Sequence, residues 1–369
     1  MHTTRRWARG VIAFIAVALA GCDGAGGEPL DAGLTPLDAA APLDAATPIG
    51  ATFLAATLEG EGPWGRWGYQ VAALDAQSAI VLGGTDASAF GGTVFEDAWR
   101  VRVSEDGSVS ATRIDASGPA PRYCGCMAWD PTRARLVVYG GRDLSAPTRA
   151  PETWELDVEG ARWRLVEGAT EPPGTVGCAM AYLPSTEQVY LFGGGGTGGF
   201  DDSTFRYDAA AGAWVELDAP GPLARYDGYL FPSRDGAALL LFGGSYGARG
   251  AAFYADLWRF DPIAETWSEL ALPDGPRGRR TPWIVHDPAR DGLYIGFGFD
   301  GEMEAIGDLW HLDLDARAWR SIEIAADGPV ARGFALALPG GAGALGLVLG
   351  GNGGTRALVD GWRLVRAAP

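Results

Sequence analysis

The chain carries 29 Lys+Arg against 46 Asp+Glu over 369 residues, and all 29 are arginine. Without lysine there is no Schiff-base or P-loop chemistry, and a formal charge of −17 excludes nucleic acid and anionic lipid surfaces as general partners, because both repel so acidic a body. With 56 Gly, 24 Pro and 14 Trp and no long 3.6-periodic stretch, the composition predicts an all-β chain with many turns.

At the start, Arg5, Arg6 and Arg9 form a basic segment ahead of an apolar run from Val11 to Leu19, which is too short to cross a bilayer core. The run ends in Leu19-Ala20-Gly21-Cys22, which resembles a bacterial lipobox. That resemblance implies a signal peptide over residues 1–21 and a lipid on the Cys22 thiol. Cleavage would leave 26 Arg against 46 acidic residues, a net charge of −20. From 22 to 50 the chain is Ala-, Pro- and Asp-rich, with Pro36-Leu37-Asp38-Ala39-Ala40 repeated as Pro42-Leu43-Asp44-Ala45-Ala46. Such a segment cannot bury a core and reads as a disordered tether, reaching roughly 30 Å if flexible.

From residue 51 onward one cassette recurs six times. It opens with Gly-Pro-x-x-Arg, at Gly62 to Arg66, Gly118 to Arg122, Gly221 to Arg225, Gly275 to Arg279 and Gly328 to Arg332; the third copy instead reads Glu171-Pro172-Pro173-Gly174-Thr175. Then follows an apolar run closed by a glycine pair, as in Ile80-Val81-Leu82-Gly83-Gly84 and Leu240-Leu241-Phe242-Gly243-Gly244, reduced in copy five to Phe297-Gly298. A variable loop leads to an aromatic at Trp99, Trp154, Phe205, Trp258, Trp310 and Trp362, and four copies add a second Trp nine residues later, at Trp163, Trp214, Trp267 and Trp319. Four short strand signals per copy of about 50 residues predict one propeller blade, which buries its faces only against its neighbours.

The glycine pair after an apolar strand, followed by spaced aromatics, resembles the kelch repeat family over residues 51 to 366. The resemblance implies a six-bladed β-propeller filling residues 51–369. Trp362 lacks a downstream partner, and Phe53 precedes Arg66 by the same interval at which Trp319 precedes Arg332. Residues 51–58 are therefore expected to supply the outer strand of the last blade and close the ring.

Three constellations bear on function. Arg66, Arg122, Arg225, Arg279 and Arg332 are expected near the channel mouth. There they either form a rim of guanidinium forks for an anion or pair with carboxylates of adjacent blades. The variable loop after the fourth glycine pair offers Tyr246, Arg249, Phe253 and Tyr254 for protein or sugar recognition. Cys124, Cys126 and Cys178 fall in innermost strands of neighbouring blades, so a disulfide from Cys178 to Cys124 or Cys126 is feasible in an oxidising compartment. The Gly-x-Ser-x-Gly match at Gly243 to Gly247 and the glycine run at Gly193 to Gly198 both sit in blade loops without the helix their chemistry requires. Asp201-Asp202 and Asp300-Gly301-Glu302 lack the oxygen spacing of a calcium loop. With His286 and His311 remote from the thiols, no metal or cofactor is expected.

The sequence reads as a monomeric, lipid-anchored propeller of the bacterial cell envelope, on the inner or outer membrane and facing periplasm or exterior. It would act as a non-catalytic platform for a protein or an acidic carbohydrate, without nucleic acid. The alternatives are a sugar-acid mutarotase or epimerase working at the arginine-lined mouth, and a purely structural envelope protein.

Overall fold

A computed structural model describes residues 51–366 apart from 89–90, 145–150, 168–170, 174–175, 197, 248–251, 288–290, 339 and 341–342. The expected signal peptide, Cys22, the tether and Arg249 lie outside the described residues. Among the described residues every regular element is a strand.

In chain order, β1 (Ala51–Ala55) and β2 (Leu58–Glu59) precede the first blade, β3 (Gln70–Ala73), β4 (Ser78–Leu82), β5 (Ala98–Val103) and β6 (Val109–Ile114). The second blade is β7 (Cys126–Asp130), β8 (Arg135–Tyr139), β9 (Thr153–Asp157) and β10 (Arg162–Val166). The third is β11 (Ala179–Leu183), β12 (Gln188–Gly196), β13 (Gly199–Asp208) and β14 (Ala213–Leu217). The fourth is β15 (Tyr229–Pro232), β16 (Leu239–Phe242), β17 (Leu257–Asp261) and β18 (Thr266–Glu269). The fifth is β19 (Trp283–His286), β20 (Gly292–Gly296), β21 (Leu309–Asp313) and β22 (Ala318–Ile322). The sixth contains β23 (Leu336–Leu338), β24 (Ala344–Leu349) and β25 (Gly361–Arg366). Each blade is an antiparallel meander; its first strand faces its counterparts around a central axis.

The sixth sheet has the order β1-β25-β24-β23, so the first strand of the fold is the outer strand of the last blade, as expected. Phe53 pairs with Leu364 and Ala55 with Trp362, and the Phe53 ring packs 6.4 Å from Trp283 and 6.0 Å from Phe297. The boundary is corrected in one respect: the exchanged strand ends at Ala55. Leu58 and Glu59 instead pair in parallel with Val109 and Ser110, which makes the first blade five-stranded. The chain thus crosses from the last blade to the first within a few residues.

The core is divided into slabs between adjacent blades. Leu136, Val138 and Leu156 of the second blade meet Ile80 and Leu82 of the first, and Tyr190 and Phe192 of the third meet Leu239, Leu241 and Phe260 of the fourth. Because each sheet packs on both faces, the second strands are continuous apolar runs, and Ser78 to Leu82 is buried throughout. The Asp-headed turns between the third and fourth strands are local: Asp208 Oδ1 accepts the Ala210 and Ala211 N–H groups, and Asp261 Oδ1 those of Ile263 and Ala264.

Candidate functional site

The glycine pairs and the repeat arginines form one device. Both members of a pair are left-handed, as at Gly243 (φ 69°) and Gly244 (φ 95°), a conformation that costs glycine little. The turn aims the first carbonyl at the arginine of its own blade: Arg225 Nη1 donates to Gly243 O at 3.0 Å, Arg279 Nη1 to Phe297 O at 3.0 Å, and Arg332 Nη1 to Gly350 O at 3.1 Å. The second N–H of the pair donates across the seam to the arginine of the next blade, from Gly84 to Arg122 O, Gly194 to Arg225 O, Gly244 to Arg279 O, Gly298 to Arg332 O and Gly351 to Arg66 O. Each arginine therefore holds its own blade with its side chain and the preceding blade with its backbone. In the fifth blade Phe297 keeps the left-handed conformation at φ 57° without being glycine.

This geometry corrects the expected rim. The five guanidiniums point into the seams between blades, where each residue is at most 6 % exposed. Their carboxylate partners come from the same blade rather than the adjacent one: Asp97 for Arg66 (2.5 Å), Glu152 for Arg122 (3.2 Å), Asp256 for Arg225 (2.6 Å), Asp308 for Arg279 (2.5 Å) and Asp360 for Arg332 (2.6 Å). Arg66, Arg225, Arg279 and Arg332 bind their aspartates through both Nη atoms. The Trp two residues after each acid donates its indole N–H to the same carboxylate, as in Trp258 to Asp256 at 2.7 Å and Trp362 to Asp360 at 2.6 Å. Burial raises the pKa of Asp97, Asp308 and Asp360, but the arginine and indole hydrogen bonds and the arginine charge outweigh it and leave all three below the ordinary carboxylate range. Sequence reasoning found the arginines and the tryptophans but missed the acids, although an Asp or Glu stands two residues before Trp99, Trp154, Trp258, Trp310 and Trp362.

The fourth loop folds down in part. Tyr254 covers the Arg225 guanidinium at 4.0 Å, and Phe253 pairs with Ser245. Tyr246 leans on Phe200 at 5.1 Å, and Phe200 stacks on Tyr226 at 5.0 Å. Of the three described loop residues, Tyr246 reaches the group of side chains around the channel mouth.

That mouth is built on a belt. Gly68, Cys124, Gly177, Asp227, Thr281 and Phe334 occupy equivalent positions in the six blades, and all are left-handed, with φ between 50° and 66°. The Cys124 N–H donates to Gly68 O, Gly177 to Cys124 O, Asp227 to Gly177 O and Thr281 to Asp227 O, at 2.7–2.8 Å, so the backbone bonds run from blade to blade around the axis. Four of the six are not glycine, and side chains held this way are strained.

Asp227 is the charged member of the belt. It is 8 % exposed, and its Oδ2 accepts no hydrogen bond from a described residue. Oδ2 lies 3.8 Å from Arg280 Nη1, which donates to the Tyr226 hydroxyl. Arg142 Nε donates to the Tyr123 hydroxyl at 2.8 Å. Burial raises the Asp227 pKa above the usual carboxylate range, against the opposing charges of Arg280 and Arg142. Beside this group Trp67, Tyr123, Phe334 and Phe299 pack in a chain of rings 5.1–5.9 Å apart. Below the belt the channel holds a cavity of about 170 Å³ lined in part by Cys124, Cys126 and Cys178. Of the two disulfides left open by the sequence, Cys126–Cys178 is the one formed, and Cys124 is a buried thiol. His311 is buried against Asp287 at 3.2 Å, on β21, the third strand of the fifth blade. Among the described residues no cluster of three metal-ligating side chains occurs.

The comparisons with known proteins agree with the architecture. The model of the KLHDC2/KLHL20/DRC7 Kelch-repeats domain matches residues 68–281 and 168–351. The chain belongs to the kelch-repeat family. Among curated kelch relatives it is 24 % identical to Kelch domain-containing protein 10 of Xenopus tropicalis over 62 % of this chain and 56 % of that protein. It is 27 % identical to human Kelch domain-containing protein 3 over 48 % of each. It is also 26 % identical to Adagio-like protein 3 of Oryza sativa subsp. japonica, over 51 % of this chain and 31 % of that protein. The matches thus span between about a third and just over half of these relatives' own lengths.

Proposed function

We propose that this kelch propeller is a non-catalytic recognition platform, anchored at the bacterial cell envelope through Cys22, and that it takes a protein or acidic carbohydrate ligand at the channel mouth. The observation that carries this reading is Asp227: a buried, strained carboxylate with one oxygen that accepts no hydrogen bond from a described residue, beside Arg280, the charge of Arg142 and a wall of aromatic rings. A ligand offering an N–H or O–H to Asp227 and an anionic or carbonyl oxygen to the guanidiniums would complete the group. The repeat arginines play no part in this, since each is consumed in its seam. The Cys126–Cys178 disulfide supports an oxidising, exported setting.

The test is binding of acidic monosaccharides and of an envelope protein fraction to the mature domain, compared with Asp227→Asn and Arg280→Gln. Both variants should lose at least about tenfold in affinity at an unchanged melting temperature. Binding equal to the parent in both variants overturns the assignment of the mouth. In the same strains Cys22→Ser should move the protein out of the membrane fraction, and retention there would remove the anchor from the reading. A second reading, the sugar-acid mutarotase, moves from the repeat arginines to the same Asp227–Arg280 pair, which offers an acid beside a guanidinium clamp. Accelerated anomer exchange of an acidic sugar, lost in Asp227→Asn, would favour it.

A further inference from the structure

In five of the six blades a set of arginine, acid and tryptophan fixes the arginine whose backbone carbonyl takes the N–H from the preceding blade. The third blade has lost all three side chains together. Where the other blades carry the arginine the sequence has Thr175, in the place of the acid stands Ser203, and the indole is replaced by Phe205. The Ser203 hydroxyl turns to Glu216 at 3.0 Å, and Phe205, buried, has no N–H to donate. The seam between the second and third blades contains the disulfide, which ties Cys126 of β7 to Cys178, the residue before β11, with their Cα atoms 5.6 Å apart and 52 residues apart in sequence. Both cysteines line the channel cavity, which gives a small reductant a route to them. Two half-buried acids flank the seam, Glu171, which accepts from the Thr153 hydroxyl at 2.7 Å, and Asp201, whose Oδ2 accepts no hydrogen bond from a described residue. Burial holds both above the ordinary carboxylate range.

We propose that the seam between the second and third blades is a redox-controlled opening point of the ring, held by the Cys126–Cys178 bond in place of the missing set. A dithiol reductant delivers two electrons and two protons, so that the S–S bond breaks, two thiols form, and the reductant leaves as its own disulfide. The belt bond from the Gly177 N–H to Cys124 O crosses this seam, and Gly177 O in turn accepts from the Asp227 N–H. Opening therefore frees the backbone that holds Asp227, while the other five seams keep their arginines.

Hydrogen exchange on the native chain, with and without a dithiol, reads this directly. Amides of β7, β11 and Gly177 should exchange at least about tenfold faster after reduction, with the other inner strands unchanged. No acceleration, or acceleration shared equally by all six blades, overturns the proposal. Cys126→Ala with Cys178→Ala should reproduce the effect without reductant, whereas Cys124→Ser should leave it dependent on reductant; an effect abolished by Cys124→Ser would assign it to the third thiol and overturn the proposal. Installing the missing set by Thr175→Arg, Ser203→Asp and Phe205→Trp should protect the seam of the reduced chain. A folded triple variant that remains as labile as the reduced parent would show that the disulfide does not stand in for that set.

Discussion

An arginine repeated in every blade but one invites a functional reading, and its surroundings decide the matter. Arg225 and Arg279 are almost wholly buried, and each has its guanidinium bound to a carboxylate and a carbonyl of its own blade while its backbone holds the blade before. Removing such a side chain strands a partly buried aspartate and an unpaired carbonyl. Arg225→Ala or Arg279→Ala should therefore cost about 3 kcal/mol or more, and the double variant, whose two sites share the Gly243–Gly244 turn, should depart from additivity. Chemical denaturation checks this, and an unchanged midpoint would mean that the seams close on apolar packing alone. Asp97 tests the charge component. Its folded pKa lies below the ordinary value, so its ionised form stabilises the fold. That contribution is complete above the unfolded value of about 4 and is lost as the pH falls through the lower folded value. Asp97→Asn should melt below the parent at neutral pH, and the gap should close in acid; a gap independent of pH would show that pairing with Arg66 contributes no net charge stabilisation.

At the level of the blade, most of the architecture was legible because a repeat multiplies a weak signal. One Gly-Gly after an apolar run says little; five such pairs in register with arginine and tryptophan place the second and third strands of each blade. The structure adds the reason, since the two left-handed residues at Gly83–Gly84 and its equivalents turn one carbonyl to the blade's own arginine and one N–H to the next blade. The direction of the arginines was not legible, because sequence places Arg66 before β3 but does not say whether its side chain enters the channel or the seam. The acid two residues before each Trp would have settled it, had Asp97, Asp256 and their equivalents been read as part of the cassette. The mouth was hidden for a different reason. Asp227, Arg280 and Arg142 come from three different blades and recur in none, so only the closed ring brings them together. The paired departures in the third copy, Thr175 with Ser203 and Phe205, were visible singly and acquire meaning only through the contacts the other five blades make.

Closure is a property of the whole molecule, because a propeller of separate slabs is only as firm as the seam where its two chain segments meet. β1 closes that seam with backbone hydrogen bonds, since one end of the folded chain lies inside the blade formed by the other, with five residues from Ala51 to Ala55 paired against Arg366 to Trp362. The seam is fastened at two further points. Arg366 binds the buried Asp287 of the fifth blade, and the Phe53 ring enters the slab formed with Trp283 and Phe297. Deleting residues 51–55 removes a half-buried phenylalanine and a row of backbone bonds, for a loss of about 3 kcal/mol or more. It also leaves β25 as an open edge on which another chain can pair. The deletion should thus lower the melting temperature and promote self-association, whereas Phe53→Ala should lower the melting temperature while the molecule stays monomeric, because the backbone still covers the edge. Light scattering alongside thermal melts separates the two effects. A deletion variant as stable and as monomeric as the parent would mean that the slab contacts between the fifth, sixth and first blades close the ring without the exchanged strand.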